Sequence, residues 1–311
     1  MPAKVTLDNI GKDGVFFPFS TENWKAGHDQ PDGRERNRDE PPNSVRKDSP
    51  MIAIASPGRS TPVSRHSDQL LSLGVGPVAR SAVTAAQMPA LRKELAGQFK
   101  DTLTSSVVKN ADEQSLVALV ALSEAIAQSP MERADEWGVI AAPRFFGRTR
   151  CAEMVRKFRE QGAWSASPHI IPQCMLHSLS GLLSQAFGIH GPNIGAGGSR
   201  GGEREALLAA FGWISAGRLP GVWLVLTSWD SESPAYSDGV CTALAVGLQS
   251  SAAGLPKLRL LTSGNAGNVP PFSLESLGEE LSAGWSRSAR WEMGHMGSLS
   301  LEPAGRAAAA A

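Results

Sequence analysis

The chain has 311 residues, is 41% hydrophobic and carries 30 basic against 30 acidic side chains. That length accommodates one large α/β domain or two ordinary ones, and the hydrophobic content suffices for a buried core. The charge balance creates no overall basic field, so nucleic acid is not an expected partner.

Cys151, Cys174 and Cys241 are odd in number and far apart. They fit neither a disulfide framework nor a metal-binding pair, and they point to a reducing, cytoplasmic compartment. The opening MPAKVTLDNI has no basic segment followed by an apolar run, so no signal peptide is expected. The longest apolar runs, 116–122 and 222–226, fall short of the roughly 20 residues that cross a bilayer, which leads to the expectation of a soluble protein.

In chain order, residues 1–50 read as a disordered or loosely attached lead-in, because 29–50 are charged, proline-containing and almost free of large apolar side chains. Within them the Val15-Phe16-Phe17-Pro18-Phe19 cluster reads as a short strand or packing segment. A domain is expected over 51–262, opening on a strand at 51–55 (MIAIA) that Ser56-Pro57-Gly58 ends. Residues 60–106 are weakly patterned, with a helix over 89–99. Residues 112–128 form a helix capped by Asp112, whose long apolar face suits burial against a sheet. A strand follows at 136–142, then an amphipathic helix at 150–161 with Cys151, Met154, Val155 and Phe158 on one side.

After a bend at Ser167-Pro168, an apolar helix at 173–187 presents Ser178, Ser180, Gly181 and Ser184, small enough for another helix, or another subunit, to approach closely. Gly191-Pro192-Asn193 and a glycine-rich turn then lead into a helix at 202–216. Strands are expected at 222–228, 240–248 and 257–262, and then an irregular tail over 263–311 with a helix at 274–281. No internal repeat is visible. The order is that of an α/β layer whose turn is aimed at a helix N-terminus, where a reactive group or an anion can sit.

The run GIHGPN, the glycine-rich turn, the helix ending ISAGRLPG and the strands VWLVLTSWD and CTALAVGL resemble the N-terminal half of β-ketoacyl synthases of the thiolase-like superfamily. The resemblance covers roughly 51–262. It implies a thiolase-like layered α/β fold, its N-terminal half only, with a mixed, mostly parallel sheet flanked by helices. In that family a cysteine at the N-terminus of a buried helix takes the acyl group from an acyl carrier protein, and backbone N–H groups and the helix dipole favour its thiolate. Counted from Gly191-Pro192, that position falls on Arg200, a permanent cation that cannot be acylated in this way.

The family's second half, which supplies two histidines, has only about fifty residues to occupy after Thr262. Gly294-His295-Met296-Gly297 is similar to a glycine-histidine motif of that half, a match that chance also produces. The resemblance thus implies a non-condensing, chain-length-factor-like partner in fatty-acid or polyketide assembly. An acyl carrier protein and an active ketosynthase subunit, or a second copy of the chain, would be its partners. No cofactor and no metal are expected. The small-residue helix and the strand at 222–228 are the implied subunit contacts.

Two other readings stand beside this one. Gly197-Gly198-Ser199-Arg200-Gly201 fits G-x-S-x-G, and a hydrolase or acyltransferase triad of Ser199, Asp230 or Asp238, and His295 can be drawn. The elbow, however, requires a buried strand immediately before the serine, where this chain is rich in glycine. The third reading is a degenerate structural or binding domain. Gly197, Gly198 and Arg204 are candidate substrate-binding residues, Arg200 and Arg204 holding an anion such as a carboxylate or a phosphopantetheine phosphate. The turn lacks the Gly-Lys-Ser/Thr ending of a phosphate-binding loop. Cys174 and Cys241 read as buried and inert, His177 and His190 as non-ligating, and Trp213, Trp223 and Trp229 as packing residues.

Overall fold

A computed structural model of the chain describes residues 70–128, 134–165, 170–199, 201–229, 239–250, 254–262, 269–283 and 288–304. The lead-in, the apolar cluster at 15–19 and the strand expected at 51–55 lie outside them. The described elements are β1 (Leu70–Thr84), α1 (Met88–Gln98), α2 (Ser105–Asn110), α3 (Glu113–Ala127), β2 (Gly138–Pro143), α4 (Arg148–Gln161), α5 (Ile170–Gln173) and α6 (Leu176–Phe187). They continue with β3 (Asn193–Gly195), α7 (Gly202–Ser215), β4 (Gly221–Trp229), β5 (Val240–Ser250), β6 (Lys257–Leu261), α8 (Leu274–Ser282), β7 (Ala289–Glu292) and β8 (Ser298–Glu302).

The strands form one eight-stranded sheet in the order β3-β2-β4-β5-β1-β6-β8-β7. It is a mixed sheet flanked by helices, the α/β class expected from the sequence. Its parallel part is smaller than expected, since only β2–β3 and β2–β4 run parallel while five pairings are antiparallel. The reason is local: β4 and β5, and likewise β7 and β8, are consecutive strands with no α-helix between them among the described residues, so each partner returns antiparallel.

Alternation along the strands divides the core into two layers. Trp223 and Val225 of β4, with Val139 and Ala141 of β2 and Ala243 and Ala245 of β5, face the layer of α1, α3 and α6. Val222, Leu224 and Leu226, with Ile140, Val246 and Leu248, face α7 and α8. Successive side chains of a strand point to opposite faces, and both faces here are buried, which is why these strands read as continuous apolar runs. On the α3 side the small residues let that helix lie close, and its segment from Gln114 to Leu122 is buried throughout. Trp137 and Trp223 pack against each other in this layer at a tilt of 40°, ring centres 5.1 Å apart.

Three expectations are corrected. Residues 60–106 contain the longest strand, β1, which pairs with both β5 and β6. Gly74, Gly76 and Pro77 hide it in the sequence, and the register shift between Val75 and Val78 places Pro77 where the ladder is interrupted. The tail expected to be irregular over 263–311 apart from a helix at 274–281 supplies, besides that helix (α8), the strands β7 and β8, with Trp291, Leu299 and Leu301 in the core. Those strands are four and five residues long, too short for periodicity to reveal. Finally, β4 cannot be a subunit contact: it is paired on both edges and buried on both faces. The outer strand on that side is β3.

If the C-terminal strands belong to the core, Leu299→Ala should lower stability in urea unfolding by about 2–5 kcal/mol. A loss below about 0.5 kcal/mol, the size of a surface change, would return this region to an appended tail.

Candidate functional site

The glycine-rich turn starts where β3 ends. Ala196 N–H donates to the Ala141 carbonyl at 2.8 Å, carrying the β2–β3 ladder one residue further. The chain then reverses through Gly197 (φ +76°), Gly198 (φ +100°) and Gly201 (φ +88°), which is the N-cap of α7. A Cβ on Gly197 would stand 2.4 Å from Cα of Gly202, so two backbone segments touch there and neither position admits a side chain. The turn rests on the first residue of α6: a Cβ on Gly198 would stand 3.1 Å from the Leu176 side chain.

Among the sequence-derived candidates, Gly197, Gly198, Ser199 and Arg204 come together at this turn. Arg200 lies outside the described residues. Ser199 is exposed, and its carbonyl accepts from Gly202 N–H at 3.2 Å. Arg204 is half-buried, its Nη1 3.4 Å from where a Cβ on Gly294 would stand, so the Gly294–Met296 turn lies alongside the start of α7. His295 in that turn is exposed, and Asp230 and Asp238 are outside the described residues. The strained elbow of a serine hydrolase is not formed. Ala196, Gly197 and Gly198 separate Ser199 from β3, and its φ is not in the left-handed region.

That unusual conformation belongs to Phe145, at φ +55° in the loop after β2. A non-glycine residue there costs about 1–3 kcal/mol and persists only where its surroundings enforce it. Phe145 N–H donates to the Gly198 carbonyl at 3.1 Å and Arg144 N–H to the Thr227 carbonyl at 2.8 Å, so the loop is clamped between the glycine turn and β4. The Arg144 side chain completes the clamp. It pairs with the Glu203 carboxylate, in the first turn of α7, at 2.6 Å and with Glu275, in α8, at 3.1 Å. Burial alone would lower the Arg144 pKa, but hydrogen bonding and charge from Glu203, then Glu275, leave it above the ordinary value. Behind it, Gln114 donates to the Arg144 carbonyl at 3.0 Å and accepts from Thr227 Oγ1 at 2.7 Å.

Asp112 caps α3 as the sequence leads one to expect, accepting Gln114 N–H at 2.9 Å. It also accepts the backbone N–H of Gly147, at the far end of the strained loop. Burial, and then the charge of Glu113, push its carboxyl up to about 6. Arg92 and Arg150 surround it, both donating to the Ala111 carbonyl and both pairing with Glu113, at 3.2 and 3.6 Å.

The remaining expectations divide. Cys241 and Trp223 are core residues as read, and Trp213 and Trp229 are half-buried. Cys174 is not on the apolar helix but in the turn before α6, half-buried, and Cys151 is exposed. The described residues contain no group of three or more His, Cys, Asp or Glu placed to hold a metal. No described helix is long and apolar enough to cross a membrane. The apolar side of α4 turns outward, with Val155 55% and Phe158 52% exposed. Arg144 and Glu275 were missed because nothing local distinguishes a pairing between residues 131 positions apart.

No protein-family model and no curated protein matches the chain. Among solved structures it is similar to the ketosynthase ApeO in complex with its chain length factor ApeC from Xenorhabdus doucetiae, with TM-score 0.49 and 13% identity, over 75% of this chain and 99% of that chain. It is similar also to AntDE:AntF, a type II polyketide synthase acyl-carrier protein in complex with its ketosynthase bound to the hexaketide, with TM-score 0.43, 12% identity and 58% of this chain covered. A third is the ishigamide ketosynthase/chain length factor, with TM-score 0.42, 18% identity and 60% of this chain covered. The chain spans 64% and 65% of the last two.

Two measurements probe the clamp. Arg144→Met leaves Glu203 buried without its counter-charge and should cost about 3–5 kcal/mol in urea unfolding, with Arg144→Lys recovering part of it. A cost under about 1 kcal/mol, as for exposed pairs, would show the pair to be dispensable. The second concerns pH. Because the Asp112 carboxyl is raised from 3.8 to about 6, the folded state binds that proton more tightly than the unfolded chain does. Stability from this group is therefore greatest below about pH 4 and is lost as pH rises to about 6. Asp112→Asn, which keeps an acceptor for the cap, should gain on the wild type by on the order of 3 kcal/mol across that window. Parallel stability–pH curves for the two proteins would contradict this.

Proposed function

We propose that the chain is a ketosynthase-like subunit of fatty-acid or polyketide assembly that does not itself condense. It acts in the manner of a chain length factor beside an active ketosynthase, with an acyl carrier protein serving the pair. The supporting observation is the state of the α7 N-terminus. A condensing thiolate draws on the positive end of such a helix. Here the first turn already holds the buried Glu203 carboxylate, itself paired with Arg144 at 2.6 Å. Residue 200, which stands at the resembled family's thiol position, is an arginine and supplies no nucleophile.

Two surfaces suit a partner subunit. β3 is the outer strand of the sheet, paired among the described residues only with β2. The outward side of α4, with exposed Val155 and Phe158 and with exposed Trp164 and Met175 in the segments that follow it, is apolar and is not covered by the described chain. The hydrolase reading gains no comparable support, since Ser199 is exposed and unstrained.

Incubated with acyl-carrier-protein thioesters and with a fluorophosphonate probe, the wild-type protein should show no adduct by intact mass, and it should co-purify with a complete ketosynthase. Covalent labelling that disappears in Ser199→Ala would overturn the proposal in favour of serine acyl transfer. Absence of both adduct and complex would also overturn it and leave a binding domain.

A further inference from the structure

Outside the glycine turn, one pair of reactive side chains is used by nothing described so far. Gly147 is the N-cap of α4 and packs on Cys174: a Cβ at Gly147 would stand 2.6 Å from the Cys174 Cβ and 3.0 Å from its Sγ. Cys151 lies one helical turn further on, its N–H donating to the Gly147 carbonyl at 2.9 Å. Side chains on a helix tilt toward its N-terminus, so the Cys151 side chain leans back over Gly147 toward the sulfur held there. The two thiols are hydrogen-bonded to each other. Cys151 is exposed and Cys174 half-buried, so one sulfur meets solvent and the other waits behind it.

We propose that Cys151 and Cys174 are an oxidisable thiol pair whose disulfide staples the start of α4 to the segment carrying Leu176, on which the glycine turn rests. The oxidant is a small-molecule disulfide. Cys151, having given its proton to solvent, attacks one sulfur of that disulfide. The S–S bond breaks, a mixed disulfide forms on Cys151, and one small thiolate leaves and takes up a proton. Cys174 then passes its proton to the second departing thiolate as its Sγ bonds to Sγ of Cys151. Two protein thiols are oxidised and one small disulfide is reduced to two thiols.

The order of attack follows from the surroundings. Burial, reinforced by the hydrogen bond and charge of Cys151 and by the charge of Asp112, pushes the Cys174 thiol up to about 12. Cys174 therefore remains protonated while Cys151 reacts. Leu176, two residues after Cys174, touches Gly198 and Gly195, so the staple would bear directly on the turn.

The full chain treated with oxidised glutathione should lose two hydrogens by intact mass without retaining glutathione. A peptide map should link Cys151 to Cys174 and leave Cys241 free. Cys174→Ser should instead hold glutathione on Cys151, and amide exchange across residues 193–199 should slow on oxidation of the wild type. Glutathione retained on Cys151 of the wild type, a cross-link only between two copies of the chain, or unreacted thiols would each overturn the pair. Unchanged exchange at the turn would overturn the staple.

Discussion

The ion pair between Arg144 and Glu203 is the interaction on which the surroundings of the turn depend. Taking both charges out of water is costly, and an apolar pair of similar volume is often as stable. What the pair adds is direction. Arg144 sits where β2 gives way to a strained loop, Glu203 where the glycine turn becomes α7, and Glu275 at the start of α8. One planar guanidinium, with several fixed donors, can hold three elements in one geometry, as a lysine's single ammonium does not. With Arg144 N–H on Thr227 and its carbonyl on Gln114, the same residue also joins β4 to the N-terminus of α3. The left-handed Phe145 is tolerated because the residue before it is held at both backbone and side chain.

The two-layer core explains why this clamp can be where it is. Alanines on the α3 side of the sheet draw that helix close, which brings Asp112 and Gln114 within reach of the loop after β2. Larger residues on the other side set α7 and α8 further out, and their N-terminal acids project to the same arginine. The positive end of α7 therefore already holds a carboxylate that is paired with Arg144, the observation on which the proposed non-condensing role rests. The neighbouring thiols add a second means of acting on the same turn, since both the clamp and the staple meet at the loop from Arg144 to Gly147.

Much of the fold was legible in the sequence because it is written in local patterns. The cap at Asp112, the apolar span of α3 and the branched, aromatic run of β4 each announce themselves within one element. The glycine turn was legible for the same reason, since three glycines with positive φ leave a mark in composition. β1 was not, because Gly76 and Pro77 interrupt its alternation, and a bulge that absorbs them is visible only once β5 and β6 are in place. β7 and β8 were lost to their brevity. At the site, Ser199 and Arg204 stand out in the sequence through the glycine turn they adjoin, whereas Arg144, Glu275 and the relation of Cys151 to Cys174 had no sequence signal. Each is an ordinary residue whose significance comes from a neighbour distant in the chain.

Sequence alone determined the class of the protein, the order of its central elements, and the residue that stands at the head of the turn, because composition and periodicity act over a few residues at a time. The tertiary structure decided which charges neutralise one another, which thiols meet, which face of α4 is left to solvent and which strand forms the edge. Those are properties of long-range packing. An ion pair or a hydrogen-bonded thiol pair exists only when burial has brought its two halves together, and no local pattern carries that distance.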